Sequence, residues 1–149
     1  MPKYSKTCFG NILIREITYT INKIEMVIYM NLEELRKYCL SKRGTAECFP
    51  FDEVTLVFKV GSKMYGLTNI NNEILTVNLK CDPMLAIDLR REYPSIIPGY
   101  HMNKQHWNTI VLDGDISDEK ICWLIDLSYD LVFKGLKKAE KALINSEAY

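Results

Sequence analysis

Residues 99–109 read Gly-Tyr-His-Met-Asn-Lys-Gln-His-Trp-Asn-Thr and concentrate the chain's unusual chemistry. Both histidines of the protein, His101 and His106, lie there, with Lys104 between them and Trp107 beside them. The carboxamides of Asn103 and Asn108 complete the group. Imidazole and ammonium groups can hold phosphate, carboxamides can read base edges, an indole can stack on an exposed base, and an imidazole can relay a proton. A plainer reading competes with these: Trp107 opens a strand and packs, while the histidines finish a loop.

Templates for other chemistry are missing. The sequence has no Gly-x-x-x-x-Gly-Lys phosphate loop, Gly-x-Ser-x-Gly elbow or His-Glu-x-x-His helix, so no catalytic residue is assigned. His101 and His106 are five positions apart with no cysteine nearby, and Asp113 and Asp115 sit in an evident turn, so neither a metal nor a cofactor is expected. Lys plus Arg equals Asp plus Glu at 19 each, so a nucleic-acid role would need a local basic patch rather than a global excess. The five cysteines (Cys8, Cys39, Cys48, Cys81, Cys122) are odd in number and form no Cys-x-x-Cys pair. That pattern suits reduced thiols and a cytoplasmic setting. No apolar run approaches the ~20 residues of a membrane span.

The elements that must position the cluster can be read in order. Residues 1–29 are a β-rich N-terminal extension, strand or disordered, and residues 30–143 form one domain. The extension is either an added edge strand or a segment ahead of a natural start at Met30. Asn31 with Glu34 three residues on is a capping box, and Leu32, Leu35, Cys39 and Leu40 share a face, which predicts a helix over about 31–42. Cys39 belongs to that face as inert packing. Thr45 to Asp52 reads as a loop pinned to the core by Phe49 and Phe51. Val54 to Val60 alternates as a strand, and Gly61-Ser62 is a hairpin turn that would set Phe58 opposite Tyr65 and Leu56 opposite Leu67.

A three-residue loop, Asn71 to Glu73, is then chosen because it puts Leu75, Val77 and Leu79 on the buried face with Leu67 and Tyr65. The opposite, polar face would carry Thr55, Lys59, Met64, Gly66, Thr68, Thr76, Asn78 and Lys80, with an open spot at Gly66. Asp82-Pro83 starts a second helix to about Tyr93. Residues 95–106 are a loop or short strand. In the strand after it, Asn108, Ile110 and Leu112 point one way and Trp107, Thr109 and Val111 the other. Ser117 caps a long helix with the stripe Ile121, Leu124, Ile125, Ser128, Leu131, Val132 and Leu136. Lys134, Lys137, Lys138 and Lys141 would crowd its C-terminal end, where cations are favourable. The order α-β-β-β-α-β-α predicts an α+β fold, an antiparallel sheet with helices packed on one face.

The chain resembles the MmcQ/YjbR family of small bacterial proteins. The resemblance runs through Tyr38-Cys39-Leu40-Ser41-Lys42, Gly44-Thr45, Phe49-Pro50-Phe51 and Thr55-Leu56-Val57-Phe58-Lys59-Val60. It continues through Asn78-Leu79-Lys80-Cys81-Asp82-Pro83, Pro98 to Thr109, Leu112-Asp113-Gly114 and Leu124 to Val132, within about residues 30–137. Position 43 is Arg where the family usually has Pro. The resemblance implies a CyaY-like fold, described as a double-wing DNA-binding arrangement, with the two hairpin tips as wings. An iron-binding role from that fold analogy would need an acidic first helix, and only Glu33 and Glu34 stand there beside Arg36, Lys37 and Lys42.

The residue chemistry and the resemblance converge on one set: Lys59, Asn78 and Lys80 on the polar sheet face, and His101, Asn103, Lys104, His106 and Trp107 on the following segment. DNA is the expected partner, bound weakly because few phosphates would be neutralised, and with strong salt dependence. The alternative is a small-ligand or enzymatic site at the same cluster for a phosphorylated or anionic molecule. A concave pocket around Gly66 would favour the alternative.

Overall fold

The computed structural model describes residues 29–147; the expectations for residues 1–28 lie outside it. Helix α1 (Leu32–Leu40) begins at the expected capping box, with Asn31 Oδ1 accepting from the Glu34 amide and the Glu34 carboxylate accepting from the Asn31 amide. Four antiparallel strands follow: β1 (Thr45–Cys48), β2 (Thr55–Val60), β3 (Lys63–Asn69) and β4 (Thr76–Lys80). Helix α2 (Pro83–Glu92) is capped by Asp82, whose carboxylate accepts from the amides of Met84 and Leu85. Then come β5 (Ile96–Pro98), β6 (Trp107–Val111), α3 (Asp118–Lys134, capped by Ser117) and α4 (Lys138–Ser146). The strands form one six-stranded sheet in the order β1-β2-β3-β4-β6-β5. The fold is α+β.

The helices cover one face, and the core lies between. Leu35 and Cys39 of α1, Ala86 and Leu89 of α2, and Ile121, Leu124, Ile125 and Val132 of α3 meet Phe58, Val60, Tyr65, Val77, Leu79 and Ile110 of the sheet. Cys39 is fully buried, and burial pushes its thiol up to about 12, so it stays protonated as a packing group.

Four expectations are corrected. Thr45–Cys48 is the edge strand β1, not part of a loop; its short β-competent run is held by Arg36 of α1, which forms a two-pronged ion pair with Glu47. Phe49 and Phe51 do not pin the next segment to the core: they are 48% and 66% exposed.

The third correction concerns register. Phe58 lies opposite Gly66, not Tyr65, and Leu56 opposite Thr68, not Leu67. A bulge at Tyr65 inserts one residue between the pairs Lys59–Met64 and Phe58–Gly66. Gly66 therefore faces the helices under Phe58 and Leu79, Thr68 is buried, and Leu67 passes to the open face. The β3–β4 pairing is shifted by one as well, with Leu67 beside Asn78, so the two offsets cancel and Val77 and Leu79 still reach the core. Ser128 of α3 repairs the broken ladder: its hydroxyl donates to the Tyr65 carbonyl and accepts from the Lys80 amide at 2.8 Å. A hydroxyl in an otherwise apolar stripe is thus explained by two backbone groups that would have no other partner.

Finally, the long helix breaks at Gly135. Lys134 ends α3, whereas Lys137 and Lys138 open α4; Leu131, expected in the apolar stripe, is 38% exposed. Lys141 reaches back to donate to the Lys134 carbonyl at 2.6 Å, and Lys63 donates to the Gly135 carbonyl at 2.8 Å, so cations do finish α3 from outside it. The break lets Leu136 turn in beneath the β2–β3 hairpin, where Gly61 takes a left-handed φ of 56° with Leu136 beside it.

Candidate functional site

No helix covers the other face of the sheet among the described residues. By register it presents Thr55, Val57 and Lys59 of β2, Met64, Leu67 and Asn69 of β3, Thr76, Asn78 and Lys80 of β4, and Trp107, Thr109 and Val111 of β6. The segment between β5 and β6 folds over this face. Gly99 makes that approach possible: a Cβ there would stand 2.9 Å from the Trp107 Cβ and 3.0 Å from its carbonyl oxygen. The Gly99 amide donates to that same carbonyl at 2.9 Å, anchoring the segment to β6. His101 then takes a left-handed φ of 54°, a conformation histidine adopts more readily than most residues, and its ring centre lies 4.0 Å from that of Tyr100.

Sheet face and covering segment enclose a concave cleft of about 550 Å³. Its floor is Leu67, Met64, Asn78, Asn69 and the hydroxyl residues Thr55, Thr76 and Thr109. Tyr100, His101 and Met102 form one wall, and Phe51, Asp52 and Asn72 the other. Phe51 and the 70%-exposed Tyr100 are large aromatic surfaces open to a ligand. Among the lining residues no Lys or Arg is present. Lys59 and Lys80 share the open face at one end, across from Met64 and Trp107 respectively. Asp52 stands at the other end, beside Thr55. Backbone hydrogen bonds from Val54 and Thr55 hold its carboxyl below the usual range, so it stays ionised there.

Of the predicted site residues, the cleft is lined by Asn78 and His101. Lys59 and Lys80 flank it. Asn103, Lys104 and His106 are exposed on the turn beyond, where they also build the turn itself: Asn103 Oδ1 accepts from the Gln105 amide, Lys104 Nζ donates to the Gly99 carbonyl, and the His106 carbonyl accepts from the Cys81 amide. Trp107 is 8% exposed and packs with Val57 and Leu67, with Met64, Met102 and Cys48 around it. Its ring packs beside the cleft without lining it and is not a free stacking surface; Tyr100 and Phe51 are the aromatic rings that line the cleft.

Phe51, Asn69, Asn72, Tyr100 and Thr109 were not expected at a site. The run Asn69-Ile70-Asn71-Asn72 carries three carboxamides in four residues, more than a turn requires, and that was the available signal. Nothing in the sequence signals Phe51, because its exposure depends on where β1 ends.

Comparisons with known proteins agree with this architecture. A family model described as YjbR matches residues 40–131. The uncharacterised protein YjbR of Escherichia coli strain K12 is 31% identical over 115 residues, covering 77% of this chain and 98% of that protein. The uncharacterised protein YyaQ of Bacillus subtilis is 34% identical, covering 66% of this chain and 95% of that one. Among solved structures, that of the Deinococcus radiodurans protein DR2400 superposes with a TM-score of 0.74 at 43% identity, covering 78% of this chain and 89% of the other.

Proposed function

From the premise that this chain belongs to the YjbR family, we propose that it binds DNA on the open sheet face, taking an unstacked base into the cleft. The observation that carries the reading is the cleft itself: a concave floor of carboxamides and hydroxyls, an aromatic rim of Phe51 and Tyr100, and two lysines on the same face at one end. A duplex groove is read by a convex element pushed into it, whereas a concave site with aromatic walls suits a single strand or a locally opened one. Tyr100 and Phe51 would stack on the base, the carboxamides would address its edge, and Lys59 and Lys80 would meet the flanking phosphates. His101 on the cleft wall, with Asn103, Lys104 and His106 on the turn beyond it, would extend the phosphate track.

The zero net charge implies weak binding, and two lysine–phosphate contacts imply a smaller salt slope than the strong dependence expected from the sequence. Fluorescence anisotropy of a labelled single strand, titrated across salt concentrations, tests this. Tyr100→Ala should weaken binding about 5- to 150-fold, the equivalent of one lost base–aromatic stack. The double change Lys59→Ala with Lys80→Ala should lower the logarithmic salt slope by roughly 1.4, at about 0.7 per phosphate on a single strand. Preference for duplex, or an unchanged slope in the folded double variant, refutes the reading.

A second reading is favoured by the concavity of the cleft and by the absence of Lys and Arg from its lining: the occupant is a free planar heterocycle rather than a nucleic acid. Saturable, salt-independent binding of a nucleoside with no binding of oligonucleotides would select it.

A further inference from the structure

We infer that the cleft selects the carbonyl-bearing edge of a thymine-type pyrimidine over the amino-bearing edge of cytosine or adenine; this rests on the reading of the open face as a base-binding surface. The selectivity comes from how the two floor carboxamides are held. The Tyr100 backbone N–H donates to Thr109 Oγ1 at 3.1 Å. A backbone N–H can only donate, so the Thr109 oxygen is the acceptor there, and its one hydrogen passes to Asn78 Oδ1. With that oxygen engaged, Nδ2 is the donor end of the Asn78 carboxamide, and Asn78 lines the cleft. Asn69 is fixed by the same logic: the Asn71 backbone N–H donates to Asn69 Oδ1 at 2.9 Å, leaving Nδ2 as the outward group. Two carboxamides that could each have offered either an acceptor or a donor are both set as donors.

Their spacing fits one pyrimidine edge. Asn78 pairs across the sheet with Leu67, and Asn69 lies two residues beyond Leu67, so the two carboxamides are diagonal neighbours with Cα atoms roughly 7–8 Å apart. The same register sets Thr76 at one remaining corner of that square and Leu67 at the other. Thr76 Oγ1 already accepts from Asn72 Nδ2 at 3.2 Å and keeps a second lone pair. The sequence donor, acceptor, donor is the complement of O4, N3–H, O2 in thymine. Leu67 and Met64 give the C5 methyl an apolar surface. Cytosine would turn its N4 amino group, and adenine its N6 amino group, toward the Nδ2 hydrogens, donor against donor.

The test is competition of short oligo(dT), oligo(dC) and oligo(dA) for the full chain by anisotropy, with the free nucleosides as a parallel series. Oligo(dT) should bind at least about 10-fold more tightly than the other two, as expected when one well-placed pairing discriminates by 1–3 kcal/mol. Asn78→Asp keeps the Thr109 hydrogen bond on one oxygen and offers the other as an acceptor, so the preference should move from oligo(dT) toward oligo(dC). Thr109→Val removes the lock without adding charge and should bring the ratio toward one. Thermal unfolding confirms that each variant is folded. Equal affinity for oligo(dT) and oligo(dC) in the wild type, with Tyr100→Ala still weakening both, overturns this inference and leaves the base-binding reading standing. An unchanged preference in both folded variants also overturns it. No binding of any oligonucleotide or nucleoside overturns both.

Discussion

On the helix-covered side of the sheet, Phe58, Val60, Tyr65, Val77, Leu79 and Ile110 are each no more than 2% exposed and belong to one continuous apolar cluster with α1, α2 and α3. On the open side, one position along the same strands, stand Thr55, Asn69, Thr76, Asn78 and Thr109, whose polar groups bond to one another, to loop amides and to the Asp52 carboxylate. Among the described residues, Val57, Leu67 and Trp107 form a small buried apolar island there, with Met64 and Met102 against it. The difference is one of what each side can lose. The covered side depends on volume and on paired backbone groups. The open side holds hydrogen-bonding groups partly committed to each other and partly spare, which is what a selective surface requires.

The largest effect should come from emptying the covered side. Phe58→Ala removes a fully buried ring packed near Tyr65, with centroids 6.5 Å apart, and should cost about 3–5 kcal/mol, read as a fall in the urea midpoint with the slope retained. A loss no greater than that of an open-face change would break the contrast between the faces.

A smaller loss sharpens it at the one place where the sheet itself is incomplete. Ser128→Ala keeps the volume of α3 but strands the Tyr65 carbonyl and the Lys80 amide, and should cost about 1–3 kcal/mol. Hydrogen exchange at the Lys80 amide should accelerate relative to that at Val77 in the same strand. Equal protection would mean the bulge finds another partner.

The smallest effect is expected at the covered side's outer margin, where Arg36 holds Glu47. The guanidinium's hydrogen bond is the main cause that lowers the Glu47 carboxyl below its usual range. A carboxyl lower in the folded chain than in the unfolded one stabilises the fold fully above the ordinary carboxylate pKa of ~4.3 and loses that contribution as pH falls through the folded value. Comparing urea midpoints at neutral and acid pH, Glu47→Gln should lower the midpoint at neutral pH, while the gap to the wild type narrows in acid. A gap that persists in acid would assign the loss to packing instead.

Legibility followed the range of the interactions involved. The starts of α1, α2 and α3 were readable because a cap acts within four residues, so Asn31, Asp82-Pro83 and Ser117 announce them locally. The alternation of Trp107 to Leu112 was readable because a strand's period is set by its own backbone. Strand alternation put Asn78 on the open face and residue type singled out His101, whereas the residues beside them in the cleft were not singled out. Asn69, Thr109, Tyr100 and Phe51 become neighbours only when three strands and two connections are assembled. The bulge at Tyr65 was decided later still, by a hydroxyl 63 positions away on α3. By itself the sequence determined where α1, α2 and α3 begin, which strands alternate, and the family to which the chain belongs. The tertiary structure alone decided which side of the sheet Leu67, Gly66 and Thr68 occupy, because a one-residue bulge exchanges the faces and only long-range pairing can hold it in place.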